Sequence, residues 1–249
     1  MCGTHTELIA RYTMPDKTSP PSLSIIIPVL NESATIVHAL DALQDCRRRG
    51  VELIVVDGGS TDRTRELAAA QADLLVSAPS GRGCQMNAGA VTAQGKVLLF
   101  LHADTELPPT ALQRIHEAIA KGAIWGRFDV RISGRHPGLW LVGFMMNWRS
   151  RFSGIATGDQ GIFVTRDAFH QVGGFPDIPL MEDIVFSDRL RAIARPACIG
   201  DKVRTSGRRW EKHGLLNTIV MMWRLRLRFH YGADPQELAR EYGYAPRRD

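Results

Sequence analysis

The chain has 249 residues, 44% hydrophobic and 23% charged, the composition of a folded globular protein rather than a disordered or collagen-like one. Its formal net charge is +5, yet residues 202–249 alone hold eleven Lys and Arg against five Asp and Glu, so the basic excess belongs to the tail and the rest is close to neutral. The four cysteines are far apart and form no CxxC pair, which argues against a zinc ribbon or a disulfide framework and for reduced thiols in the cytoplasm. Residues 1–22 carry Pro15, Pro20 and Pro21 and no apolar core flanked by positive charge. No later run reaches the roughly 18 apolar residues of a membrane span, so neither export nor spanning is expected.

In chain order, residues 1–22 read as a loose leader. Residues 23–29 form a β-branched strand, and residues 32–49 a helix with Ile36, Val37, Leu40 and Leu43 at helical spacing, ended by Gly50. Residues 51–56 are a second buried strand closing on the polar run 57–62. A short helix over 63–72 and a short strand over 74–77 follow. The Gly-flanked segment 81–90 opens another helix, and Gly95 leads into the apolar run 97–101, which ends on His102, Ala103 and Asp104 before Pro108 and Pro109. Strands alternating with helices at this spacing imply βαβ units and a parallel sheet. The polar clusters at 28–32, 57–62 and 102–104 each follow the C-terminal end of a strand, so all three can line one crevice. Beyond residue 121 the alternation weakens. A strand is expected over 125–133, an apolar stretch dense in Trp, Phe and Met over 139–148, and a short strand over 161–165. A helix over 181–193 turns Ile184, Phe186 and Leu190 inward and Arg189 and Arg191 outward, a loop covers 205–213, and a helix covers 215–231 with Arg224, Arg226 and Arg228 interleaved among apolar residues.

Several of these residues carry chemistry by type and place. A carboxylate at a strand end, such as Asp104, can hold a divalent cation that neutralises a diphosphate; the competing role is a loop Asp capping the helix near Pro109. Arg82 precedes a helix start in a glycine-flanked loop, where backbone N–H groups and a cation can face phosphate, with Asn87 about one turn in; loop solvation and a helix cap are the alternative. Glu182 and Asp183 open a helix, near the positive end of its dipole. Asp57 either accepts from a ligand N–H or closes an Asx turn, and Ser60 or Asp62 can cap the helix that follows.

Taken in order, Ser24 to Glu32, Val55 to Asp62, His102-Ala103-Asp104, Glu182-Asp183 and Arg208-Arg209-Trp210 resemble the motifs of family 2 glycosyltransferases with the GT-A fold. Within that span, residues 81–90, Gly158-Asp159-Gln160-Gly161 and residues 206–214 look like a bacterial subgroup described as radical-SAM and selenodomain-associated, or arsenosugar-biosynthesis-type. The resemblance implies an α/β fold with a Rossmann-like, mostly parallel central sheet flanked by helices. It implies a glycosyltransferase domain over 23–213 and a basic helical extension over 214–249 packed on it. It also implies an inverting, metal-assisted transfer of a sugar, as from UDP, to a hydroxyl of a small or lipid-linked acceptor. Donor contacts are then expected from Pro28, Asn31, Glu32, Asp57, Ser60, Arg82, Asn87 and Ala103. Mn2+ or Mg2+ is expected on Asp104, with His102 ligating, bonding a phosphate or simply packing. Asp183 is the expected general base, and Asp159, Gln160, Glu182, Arg208, Arg209 and Trp210 are expected around diphosphate and acceptor. His170 and His213 are read as structural or solvent-exposed. The alternatives are a nucleotidyltransferase, disfavoured because no Gly-rich basic loop follows the first strand, or a non-catalytic protein bound to the inner membrane face through the basic C-terminal helix. No nucleic-acid partner is expected.

Overall fold

The computed structural model describes residues 21–244, so most of the leader and the last five residues lie outside the described residues. The sheet is built around β1 (Leu23–Val29), whose seven residues are all buried. Such a run, apolar on both faces, belongs in the middle of a sheet covered on both sides. It pairs in parallel with β2 (Glu52–Asp57) and β4 (Val97–Phe100), and β2 pairs in parallel with β3 (Leu74–Ser77). Helices α1 (Ile36–Arg48), α2 (Thr64–Ala69) and α3 (Arg82–Thr92) make the crossovers. Then come β5 (Thr105–Glu106), α4 (Ala111–Ala120), β6 (Trp125–Ser133), α5 (Leu139–Ser153), a 3-10 turn at Gly158–Gln160, β7 (Ile162–Thr165) and α6 (Arg166–Gln171). The order closes with α7 (Glu182–Ile193), β8 (Ala197–Ser206), α8 (Arg208–His213), α9 (Leu215–His230) and α10 (Pro235–Tyr242). All eight strands form one sheet, in the order β3-β2-β1-β4-β7-β6-β8-β5.

Side-chain alternation divides the core between the two faces of the sheet. Ile25, Ile27, Leu53 and Val55 pack with Leu40, Leu43 and Ile115 of α1 and α4. Ile26, Ile54, Val56 and Phe100 pack with Met86 and Ala90 of α3 and with Phe186 and Leu190 of α7. Helix α3 lies so close to the sheet that a Cβ on Gly89 would come within 2.5 Å of Ile26, and this fixes where its N-terminus meets the strand ends. Phe175 stacks on Phe186 with ring centroids 3.9 Å apart and meets Phe100 edge-on at 4.8 Å. Each buried ring contributes about 1.5–3 kcal/mol, enough to clamp the loop before α7 onto β4.

The structure departs from expectation in four places. Helix α1 starts at Ile36 rather than residue 32, because the Glu32 carbonyl accepts from Thr35 and Ile36 N–H, both at 2.9 Å, and Asn31 is left-handed at φ 54. The segment 205–213 is not a loop but the end of β8 followed by α8, and β8 itself was not foreseen. Helices α6 and α10 and the two-residue β5 were also not foreseen. The sheet is mixed: four of its pairings are parallel, while β4 with β7, β6 with β7 and β5 with β8 are antiparallel. Helices α9 and α10 do pack on the body, since Leu225, Leu238 and Ala239 share a cluster with Leu180 and Met181.

Candidate active site

At the C-terminal edge of the parallel strands, the loops after β1 and β2 are tied together. Asn31 N–H donates to Ser60 Oγ (2.9 Å), Glu32 N–H to Thr64 Oγ1 (2.8 Å), Ser33 N–H to Asp62 Oδ2 (3.1 Å), and Thr61 N–H to Asn31 Oδ1 (2.9 Å). Thr64 and Ser33 hold the Asp62 carboxyl well below the usual carboxylate range. Asp57 is fully buried, and its oxygens accept from Gly59 N–H (3.1 Å), Ser60 N–H (3.2 Å) and Arg65 Nη1 (3.1 Å). Burial works against its charge, but Ser60, Arg65 and Gly59 outweigh it and the pKa is lowered. Asp57 therefore closes an Asx turn that shapes the loop. A second organiser, Gln85, escaped the sequence reading. Its Nε2 donates to the carbonyls of Val29 and Val56, both at 2.8 Å, and so joins the ends of β1 and β2 to α3.

Other expected donor contacts are committed to the fold. Pro28 is buried within β1 opposite Val56, and Ala103 is buried in the core. The Asn87 side chain bonds both backbone groups of Phe175, at 2.9 Å each, and so holds the loop before α7. Glu32 accepts from Thr35 Oγ1 at 2.6 Å.

The centre of the site is the 3-10 turn. Asp159 Oδ1 lies 3.3 Å from His102 Nδ1, and Gly158 N–H donates to Asp183 Oδ2 at 2.8 Å. The other face of His102 rests on Gly158, where a Cβ would come within 2.5 Å of Cε1 and Nε2. With Nδ1 on Asp159 and Nε2 against Gly158, His102 is a brace between strand end and turn. Burial works against the Asp159 charge, but His102, Arg82 and Arg226 together keep its pKa low. Asp104 is partly exposed, with Arg208 Nη2 3.7 Å away. Asp183 sits in the first turn of α7, and its Oδ1 accepts from Ile184 N–H at 2.7 Å. Just before it, Met181 takes the left-handed conformation at φ 70, held in the cluster with Leu225.

Glu182 is buried, and burial together with the neighbouring Asp183 charge pushes its pKa up, with Arg82 opposing. Arg82 Nη1 is 4.0 Å from Glu182 Oε1, and its guanidinium lies 5.3 Å from the centre of the Tyr244 ring. Arg209 stacks at 3.9 Å on Tyr242 and donates to its carbonyl at 3.2 Å, while Trp210 packs with Ile132, Leu139 and Leu215. Of the Arg208-Arg209-Trp210 element, Arg208 lies beside Asp104, Arg209 ties to α10 and Trp210 packs on β6 and α5. Gln160 is fully buried, its Oε1 accepting from Thr157 N–H while its Nε2 is unpaired. Arg149, Arg226, Tyr242 and Tyr244 join the site unannounced by any motif.

Among the described residues no three acidic, His or Cys side chains form a ready-made metal cage. Asp104 nonetheless suits Mg2+ or Mn2+, which bind through one or two carboxylates plus substrate phosphates rather than in an all-protein cage.

A sheet of this order, with crossover loops meeting an acidic helix start at one edge, is the GT-A fold. Mannosyltransferase PcManGT from Pyrobaculum calidifontis, solved with GDP-Man and Mn2+, superposes with a TM-score of 0.60 at 23% identity, over 93% of this chain and 68% of that one. S. aureus TarS in complex with UDP-GlcNAc gives 0.61 at 19% identity, over 74% and 58%. In sequence, the undecaprenyl-phosphate 4-deoxy-4-formamido-L-arabinose transferase of Pseudomonas paraeruginosa is 33% identical over 111 residues, 40% of this chain and 33% of that protein. A PGL/p-HBAD biosynthesis glycosyltransferase of Mycobacterium tuberculosis is 39% identical over 94 residues, 35% and 37%. The chain thus spans about a third of the length of these curated relatives. The pattern of glycosyl transferase family 2 matches residues 24–173, more than half of the chain, and the protein belongs to that family.

Proposed function

We propose that the protein transfers a sugar from a nucleoside-diphosphate donor to an acceptor hydroxyl with inversion at the anomeric carbon. The observation that carries this reading is the 3-10 turn, which touches both ends of the chemistry: Asp159 meets His102 beside Asp104, and Gly158 N–H holds Asp183. The nucleotide lies over the tied loops at residues 58–60, and its diphosphate extends toward Asp104 and Arg208. A divalent ion held by Asp104 and the donor's own phosphates supplies charge neutralisation when bound. Asp183, fixed through two backbone N–H groups, accepts the acceptor's hydroxyl proton as that oxygen bonds to the anomeric carbon. The bond from that carbon to the phosphate oxygen breaks, and its electron pair leaves with the diphosphate. UDP-sugars and then GDP-sugars are the first donors to try, since TarS and PcManGT were solved with UDP-GlcNAc and GDP-Man. The finer subgroup suggested by residues 81–90, 158–161 and 206–214 belongs with this proposal, as does a cytoplasmic setting, in keeping with Cys46, Cys84 and Cys198 forming no disulfide.

The test is calorimetric titration of nucleotide sugars with and without Mn2+, followed by NMR of the product anomer. Asp104→Ala is expected to abolish the metal-dependent part of binding. Asp183→Asn is expected to bind donor normally but turn over about 10²–10⁴-fold more slowly. Retention of configuration, or full activity in Asp183→Asn, would sink the base assignment.

A second reading concerns where the protein works. No helix among the described residues is long and apolar enough to cross a membrane. Helix α5 does, however, expose Trp140, Phe144, Trp148 and Phe152, and α9 exposes Leu216, Val220, Trp223 and Leu227, each a stripe at helical spacing. The two helices hold five Arg and no Asp or Glu, although Arg224 and Arg228 pair with Glu241 of α10. An apolar face of this kind suits a lipid surface. Trp148→Ser with Trp223→Ser is expected to reduce sedimentation with phosphatidylglycerol vesicles; undiminished sedimentation would remove the reading.

A further inference from the structure

Two arginines beside the base have nothing to bind. The side chains of Arg149 on α5 and Arg226 on α9 make no hydrogen bond or ion pair with any described residue, and Arg149 Nη2 and Arg226 Nε are sealed from solvent without an acceptor. Both are held in place by their neighbours. Asn147 fixes α5 to β6 through Val130 N–H (2.7 Å) and Val130 C=O (3.0 Å). Leu225 packs with Leu180, Met181 and Ile184, the residues flanking Asp183. Arg149 feels the Arg226 charge, both feel Asp183, and Arg226 also feels Asp159; burial, ahead of these charges, pulls Arg149 down to about 10 and Arg226 down as well. Neither forms an ion pair with Asp183, whose oxygens accept from Gly158 and Ile184 N–H. Buried charged donors left unmade are costly, and native proteins rarely keep them without a partner for which they wait. The fitting partner is an anion, and the donor's diphosphate is already assigned in the reading above to Asp104 and Arg208.

We propose that Arg149 and Arg226 form an acceptor subsite for a phosphate group, so that the acceptor is a phosphorylated compound whose hydroxyl lies at Asp183. Two adjacent guanidinium forks match a phosphate in both charge and number of oxygens. The word acceptor rests on the glycosyl-transfer reading; the anion site does not. The phosphate belongs either to a soluble molecule or to a lipid headgroup reached from the exposed faces of α5 and α9.

The experiment titrates the full chain with glycerol 3-phosphate and inorganic phosphate, in the presence and absence of UDP with Mn2+, and with phosphatidylcholine vesicles with or without phosphatidylglycerol. Arg149→Gln and Arg226→Gln are each expected to weaken glycerol 3-phosphate binding by about tenfold or more while leaving UDP binding within about twofold. Arg149→Lys is expected to keep part of the affinity. Because the Gln variants remove an unpaired, partly buried charge, they are expected to melt at or above the wild-type temperature, whereas arginines serving only the fold would lower it. Variant-sensitive binding of phosphatidylglycerol vesicles assigns the phosphate to a lipid, and variant-sensitive binding of soluble phosphate alone assigns it to a soluble acceptor. Glycerol 3-phosphate binding that is absent in wild type, or equal in all variants, overturns the subsite. Loss of UDP binding in every protein would instead count against the donor reading and leave the phosphate titrations interpretable.

Discussion

Gly158 has no room for a side chain. A Cβ there would lie 2.5 Å from His102 Cε1 and Nε2, where ordinary contact begins near 3.4 Å, so ring or turn must move by about an ångström. The residue is not in the left-handed region, so Gly158→Ala tests this contact and not backbone strain. The His102 side chain is only 14% exposed and is tethered to Asp159, which leaves the ring little freedom to yield. Overpacking of this kind costs about 1–3 kcal/mol, and at about 2–4 °C per kcal/mol for a chain of this size the melting temperature should fall by roughly 2–12 °C. Because Gly158 N–H also holds Asp183, a displacement of that size should reduce turnover by about a hundredfold. The assay is a double-mutant cycle with His102→Ala, read by thermal melting and by initial rates. Removing the ring should relieve the clash and give a coupling of about 0.5–3 kcal/mol. A Gly158→Ala protein that melts and turns over like wild type, or losses that simply add to those of His102→Ala, would refute the view that ring and turn are one brace.

Glu182 gives a pH test. Its pKa is raised on folding by burial and by Asp183, so the folded state holds its proton more tightly than the unfolded chain. Stability then declines as pH rises past the ordinary glutamate value. Glu182→Gln should melt higher than wild type near neutral and alkaline pH, with the gap closing in acid; a gap that widens on acidification would reverse the sign and defeat the argument. Asn147→Ala strands the Val130 N–H and C=O and should lower stability by about 1–3 kcal/mol in denaturant titrations, and an unchanged midpoint would show that water replaces the amide.

The crevice at the strand ends was legible because β1, β2 and β4 are short runs of apolar residues that end abruptly in Asn, Asp, Glu and His, a pattern set by burial on both faces and exposure at the edge. What the pattern could not settle was the use made of each polar side chain. Asp57 closes an Asx turn and Asn87 binds backbone with the same atoms a nucleotide would use, so residue type alone does not separate the two roles. Strand β8 stayed hidden because it is half exposed and its inward positions mix Ile199 and Val203 with Asp201 and Thr205, so the alternation is not written in apolar residues. Arg149 and Arg226 were invisible for a different reason. Helix α5 is apolar nearly all round and α9 alternates Arg with apolar residues, so neither sequence says which cation turns inward. The family match ends at residue 173, ten residues short of Asp183, so the acceptor side had only local chemistry to announce it.

The lashing of the β1 and β2 loops bears on how a nucleotide would be received. Four backbone N–H groups, of Asn31, Glu32, Ser33 and Thr61, are already spoken for by side chains of the opposite loop. That end of the crevice takes its shape during folding, and association there immobilises little that was still free to move. The amide protons of these four residues should exchange slowly in the ligand-free protein, at rates that nucleotide barely alters, leaving any ordering that accompanies turnover to the far end, around Arg149 and Arg226.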